Sequence, residues 1–291
     1  MEYINKQSFA QKFKDYRRSP LSLALFLLVI VATVLTIGTL LFLVGYIMIK
    51  GIPHIKLELF EWEYSTLNVS LMPALINTVI MTLLSLLIAA PIGIFSAIFL
   101  VEYAKRGNRL VGIIRVTAET LSGIPSIVYG LFGWLFFVTA LGWGMSLLSG
   151  ACTLAIMILP LIIRTSEEAL KAVPDSYREG SFGLGAGKLR TVFRIVLPSA
   201  MPGILAGIIL AVGRIVGESA ALIYAAGTVA EIPRGRDFLF DSTRTLSVHM
   251  YALASEGLYV NESYATAVIL FVLVMLINWL SGLAAKKLSK A

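Results

Sequence analysis

Residues 177–204 read YREGSFGLGAGKLRTVFRIVLPSAMPGI, a polar, basic and glycine-rich stretch in a chain that is otherwise mostly apolar. Glu179 is followed by two small residues, Gly180 and Ser181, then by Gly185, and later by Ile195 and Leu197-Pro198. The good helix formers Glu167, Glu168, Ala169 and Leu170 precede it, and Pro174 with Asp175 or Ser176 marks a helix start. The pattern predicts a short helix, a glycine turn and a second amphipathic helix carrying Leu189, Val192, Phe193 and Val196. A piece of this kind docks into a groove of a partner by its apolar side. The plainer reading is an ordinary basic loop.

Working outward, the 291 residues are 58% hydrophobic and 14% charged, with a mean hydropathy of +0.86, against about 25% charged residues in soluble domains. This composition defines an integral membrane protein. Three long stretches carry no charge: 19–49, 64–101 and 120–163. The first is too long for a signal-peptide core and is read as a retained span. The third is too long for one span and divides at Gly142-Trp143-Gly144. A helix needs roughly 20 apolar residues to cross the hydrocarbon, which predicts six helices over 20–49, 74–100, 120–141, 145–163, 202–226 and 263–285. Pro91 with Gly93 predicts a kink in the second.

Lysine and arginine set the orientation. The tail 1–18, the 102–119 connection, the loop 164–198 and the C-terminus hold 18 of them. The opposite loops hold five, and the remaining one of 24 is Arg214, inside a span. The reading is an all-α membrane protein, 1–291 as a single transmembrane domain, with both termini and the 177–204 stretch in the cytoplasm. The net charge of +7 is then mostly topological and calls for a lipid bilayer rather than nucleic acid. The single cysteine, Cys152, excludes an intramolecular disulfide, and His54 and His249 have no ligand-like spacing. No set of His, Cys and Asp suggests an enzyme, no metal site is expected, and GLGAGK at 183–188 lacks the spacing of a nucleotide-binding P-loop.

Two further features stand out. Arg214 and Glu218 lie four apart in the fifth span, about 18 Å in from Pro202, on a stripe of small residues with Gly203, Gly207 and Ala211. Gly213 and Gly217 form a second such line. A charge at that depth is a functional signal. It is either a structural ion pair or a path for an anion, in which arginine's fork fits phosphate oxygens and Glu218 accepts a phosphate O–H. Ser122-Gly123-Ile124-Pro125-Ser126 is either a helix entry turn or a break whose freed backbone N–H groups face an anion.

The spacing Glu179-Gly180-Ser181, Gly185, Ile195-x-Leu197-Pro198 resembles the coupling loop of ABC importer permeases, with Gly and Ser where that family usually has two alanines. LSGIPSIVYGLF at 121–132 and GRIVGES at 213–219 resemble the phosphate-specific members, Ser219 replacing a threonine. LSVHMYALASEG at 246–257 resembles the PstA subunit in particular. The resemblance runs from about residue 70 to the end. It implies the type I permease fold of a prokaryotic inner-membrane importer and a coupling role for Glu179, Gly180, Ser181, Gly185, Ile195, Leu197 and Pro198. It also implies a translocation role for Arg214, Gly217, Glu218 and Ser219, and an anion or gating role for Ser122, Gly123, Pro125 and Ser126. The implied partners are a PstC-type permease completing the pore, two PstB-type ATPases that use the ATP, and a PstS-type phosphate-binding protein, with no cofactor held by this chain. A permease for another oxyanion, or an ATP-independent anion transporter, is the alternative.

Overall fold

The computed structural model describes residues 20–105, 107 and 109–288, so the tail 1–18 lies outside the described residues. The chain divides into two compact units, 1–50 and 51–291, where the sequence suggests one. The described residues of the first unit lie in one helix, α1 (Pro20–Gly51), apolar all round. Thr33 and Thr36 donate their hydroxyls to the carbonyls of Val29 and Ala32, so its polar groups are satisfied inside the helix, as crossing a bilayer requires.

The second unit is built on α2 (Met72–Tyr103), α3 (Arg109–Ser122), α4 (Ser126–Ala140), α5 (Leu147–Lys171), α6 (Asp175–Gly183), α7 (Lys188–Val216), α8 (Ala220–Ala225), α9 (Leu246–Glu256) and α10 (Val260–Leu288). Among the described residues, five helices are long and apolar enough to cross a membrane, and a sixth span is counted if the bent pair α3–α4 is taken as one.

The most buried of these spans is α5. Leu147, Leu154, Met157, Ile158 and Ile162 fill the core with Met81 and Ala89 of α2, Ile215 of α7 and Leu222 of α8. Two glycines let α7 approach α5. A Cβ at Gly203 would stand 2.7 Å from the Ala169 Cβ, and one at Gly207 would stand 2.0 Å from the Thr165 Oγ1. The stripe of small residues is thus a helix-packing seam. The second line differs: a Cβ at Gly213 would meet nothing within 4 Å. Buried hydroxyls of Thr78, Thr82, Ser85 and Thr153 donate to carbonyls one turn back.

Several expected boundaries move. The 120–141 span is not one helix, because α3 and α4 meet at a 102° bend. Pro125 caps α4 and has no N–H to continue α3, and the Tyr129 hydroxyl staples the corner by donating to the Leu121 carbonyl at 2.7 Å. The division at 142–144 stands, with Gly142 and Gly144 both at positive φ, 68° and 70°. The fourth span runs past 163 to Lys171, extended by the i,i+4 pairs Arg164–Glu168 and Glu167–Lys171 at 3.0 and 2.6 Å. The expected fifth span, 202–226, begins earlier, at Lys188, and breaks at 217–219. The helix α2 continues through Pro91 and loosens only in the π-turn Phe99–Tyr103.

Substituting Gly207→Ala should destabilise the detergent-solubilised protein by about 1–3 kcal/mol, the usual cost of overpacking. Thr165→Ala in the same chain should restore part of that loss. Thermal unfolding of the single and double variants checks this.

Candidate functional site

The connection between α5 and α7 is shorter than the 164–198 expected, since α5 runs to Lys171 and α7 starts at Lys188. It holds α6 with Pro174 as N-cap. The end of α6 explains Gly185. Ala186 N–H reaches the Ser181 carbonyl at 3.1 Å and Gly185 N–H reaches the Phe182 carbonyl at 2.9 Å, a Schellman closure that needs a left-handed residue after the cap. Gly185 supplies it at φ 80°. The buried Ser181 hydroxyl meets that of Thr191 at 2.8 Å, pinning α6 to α7. Glu179 and Gly180 are exposed. So are the apolar side chains of Tyr177, Phe182 and Leu184, the last 91% exposed.

Ile195, Leu197 and Pro198 lie inside the first turns of α7 rather than in a loop. Pro198 has no N–H for the carbonyl four residues back, and the helix widens into a π-turn, Val192–Val196, just before it.

Sequence reading missed the clasp at the base of this connection. Arg178 grips the Glu102 carboxylate at 2.7 Å and donates to the Val173 and Leu170 carbonyls at 2.8 and 2.9 Å, joining α6 to both α5 and α2. Only the i,i+3 neighbour Asp175, at 3.2 Å, was visible as local spacing. Glu102 is 76 residues away.

Arg214 and Glu218 do not share a helix face. Gly217 caps α7, and Glu218 lies in the break before α8. Its Oε1 accepts the Ala221 N–H at 3.1 Å, while Arg214 sits in the last turn of α7. Each charge therefore complements a helix end, the cation a C-terminus and the anion an N-terminus. Among the described residues the two form no ion pair, and Arg214 makes no hydrogen bond. Ser219 stands at the N-cap of α8 without a side-chain capping bond, and Gly217 is exposed.

Arg214 lines a cavity of about 400 Å³ with Ser122, Glu119, Arg115, Arg164, Glu167, Glu168 and Lys171. The structure thus brings Ser122 and Arg214 together, whereas Gly123, Pro125 and Ser126 stay outside this lining. The other cations of the cavity have partners: Arg115 and Lys171 both reach Glu167 at 2.6 Å, and Arg164 reaches Glu168. Arg214 is left with its charge uncompensated inside a membrane span, in reach of the end that lysine and arginine assign to the cytoplasm. The lining sets four cations, Arg115, Arg164, Lys171 and Arg214, against three carboxylates, Glu119, Glu167 and Glu168, a balance that can attract an anion. At the opposite end, Arg244, counted in the sequence only as a loop cation, and His249, which the sequence reading set aside, are buried, with nitrogens that meet no full hydrogen-bond partner.

A broken membrane helix presenting an unpaired arginine to a cavity, beside a short helix with exposed apolar side chains, is an arrangement suited to a transport permease. Residues 89–290 match the model of the binding-protein-dependent transport system inner membrane component, and the chain belongs to that family. It is 32% identical over 266 residues to the probable ABC transporter permease protein YqgI of Bacillus subtilis, covering 85% of this chain and 90% of the relative. It is 33% identical to the phosphate transport system permease protein PstA 2 of Mycobacterium bovis over 80% of this chain and 81% of that one. A bacterial alginate ABC transporter structure superposes with a TM-score of 0.66 at 16% identity, covering 96% and 98% of the two chains. The protein is thus a multi-pass membrane subunit of an ABC importer, served by a separate ATPase and a substrate-binding protein, and is not itself an enzyme.

Gly185→Val should cost ~1–2 kcal/mol at the α6 end, because a side chain there is strained by backbone conformation and not by crowding. Gly185→Asn, which tolerates the left-handed region, should be milder. ATPase activity coupled to transport, measured on the assembled importer, should fall in the order wild type, Asn, Val.

Proposed function

We propose that the chain is one half of the translocation pore of an ATP-driven importer of inorganic phosphate. The observation that carries the reading is Arg214, an uncompensated guanidinium at a helix break in the membrane, opening on the cavity it shares with Ser122. Arginine's planar fork suits a tetrahedral oxyanion. Glu218 lies across the break, and a carboxylate accepts an O–H, which phosphate carries near neutral pH and sulfate does not. The likeness to chains named as phosphate permeases supports the same choice.

In this reading α6 seats its exposed Tyr177, Phe182 and Leu184 in a groove of a PstB-type ATPase, two copies serving the pair of permeases. Glu179, Gly180, Ser181 and Gly185 shape that contact, and Ile195, Leu197 and Pro198 carry it into α7. A PstC-type permease supplies the other half of the pore, and a PstS-type protein delivers phosphate from outside. Closure of the ATPase dimer pulls α6. The movement passes along α7 to the break at 217–219, where Arg214 takes phosphate from the outer side and releases it inward after hydrolysis. This chain binds no cofactor in that cycle. Ser122 marks the wall of the path, and the turn 123–126 sets its bend. Charge at Arg214 serves a way-station, because a tight site would retain the anion.

Radiolabelled phosphate and sulfate uptake in cells lacking their own importers tests this. Arg214→Ala should abolish phosphate uptake, and Glu218→Gln should narrow the preference for phosphate over sulfate. Uptake that survives ATP depletion, or equal use of both anions by the wild type, would overturn the reading.

A further inference from the structure

The outer end of the bundle holds an arginine with no counter-charge. Arg244 is 5% exposed, and its Nε and Nη2 are buried without a hydrogen-bond partner. Its guanidinium lies 4.5 Å over the Tyr64 ring. No carboxylate pairs with it among the described residues. Those nearby are committed or exposed: Glu61 takes the Asn68 amide at 2.6 Å, and Glu231 is exposed. Removing one partner from a buried ion pair is strongly destabilising, so a guanidinium kept in this state points to a partner that comes and goes.

His249 lies beside it. It is fully buried, one ring N–H turns to the backbone of Val69 without full hydrogen-bond geometry at either nitrogen, and the ring meets the same Tyr64 ring edge-on at 6.0 Å. Burial, and then the charge of Arg244, hold its pKa down at about 3, against a backbone contact with Val69 that raises it, so the imidazole is neutral, with its N–H turned to Val69 and its other nitrogen left as an acceptor. Two more buried atoms near this segment lack partners, Asn77 Oδ1 and Thr243 Oγ1. Asn77 is tied to the segment by its amide, which donates to the Arg244 carbonyl at 3.4 Å. Val69, next to the pocket, is buried and held at φ 47°, a conformation that a β-branched residue adopts only under constraint.

We propose that Arg244 and His249 form an outer binding site for a protonated tetrahedral oxyanion, inorganic phosphate if the functional reading above holds. The donor and acceptor census sets the chemistry. The Arg244 edge offers donors to anionic oxygens. The bare nitrogen of His249 requires an O–H from the ligand, as does Asn77 Oδ1, and an oxyanion without a proton leaves both empty. The neighbouring cavity of about 510 Å³, lined by Tyr64, Glu63, Glu231, Arg234 and Asp241 among others, does not hold the anion, having three carboxylates against one arginine. Tyr64 belongs to both and stands as the wall between them. The Ser247 hydroxyl donates to the Glu218 carbonyl, so the segment carrying the outer site is fastened to the helix break that follows Arg214.

The test uses the importer assembled with its partner permease and ATPase, without the binding protein, and reads thermal unfolding against inorganic phosphate and against sulfate. Phosphate should stabilise the wild type more than sulfate does. Arg244→Gln should weaken the apparent phosphate affinity about 10- to 100-fold, the loss of a charge-assisted hydrogen bond. His249→Phe, which keeps the arginine, should weaken phosphate and leave sulfate unchanged, and it decides the matter if Arg244→Gln fails to assemble. The site is overturned if phosphate gives no stabilisation, if its affinity is the same in both outer variants, or if Arg244 proves to pair with a carboxylate of another subunit in the assembly. Phosphate binding lost with Arg244, in an importer that takes up no phosphate, would support the site and sink the transport reading alone.

Discussion

Two absent side chains, at Gly203 and Gly207, hold the permease together. Without them the backbone of α7 could not lie against Ala169 and Thr165 of α5. In lipid there is no hydrophobic drive between helices, so such close contact supplies the association. The consequence is mechanical. From Lys188 to Arg214, α7 runs on through the π-turn Val192–Val196, about 39 Å at 1.5 Å per residue. Its start is bonded to α6 through Thr191 and Ser181, and its end carries the arginine. In the proposed cycle, movement at the α6 tip would reach Arg214 through this one helix, whose sideways freedom is set by the glycine seam.

Much of this was legible in the sequence because it rests on local rules. Charge-free stretches marked the spans, and Pro174 and Gly185 bounded α6 through capping and turn chemistry. The errors share one cause. A window of apolar residues does not show where a helix stops inside a membrane, so 120–141 and 202–226 both read as continuous. In the first, Pro125 was visible but the 102° turn depends on Tyr129 reaching the Leu121 carbonyl. In the second, i,i+4 spacing put Arg214 and Glu218 on one face, and Gly217 undoes that arithmetic. Arg178 with Glu102, and Arg244 with Tyr64 and His249, join positions far apart in sequence, and no local period announces them.

The break at 217–219 shows how a charge is tolerated at that depth. An unbroken helix would leave Arg214 and Glu218 to neutralise each other at i,i+4, and the pair would then attract no solute. Ending α7 at Val216 separates them. Each is stabilised instead by the partial charge of a helix terminus, worth up to about 2 kcal/mol in partly buried geometry. That is less than a full counter-ion would contribute, so the field of Arg214 remains available to a ligand.

The two arginines are held in opposite ways, and the difference fits their places on the path. Arg214 is half-buried, faces a cavity with other cations and rests on a helix end that can tilt. In the proposed cycle its grip on an anion is shared with solvent and is weak. Arg244 is enclosed, backed by an aromatic ring and matched with a neutral histidine, an arrangement that discriminates by proton content before it contributes affinity. On the two proposals above, selection is placed outside and weak retention inside, and the direction of travel comes from the ATP-driven opening of the bundle. The Ser247–Glu218 bond is then the point where the two requirements meet, since opening the break displaces the segment that carries the outer site.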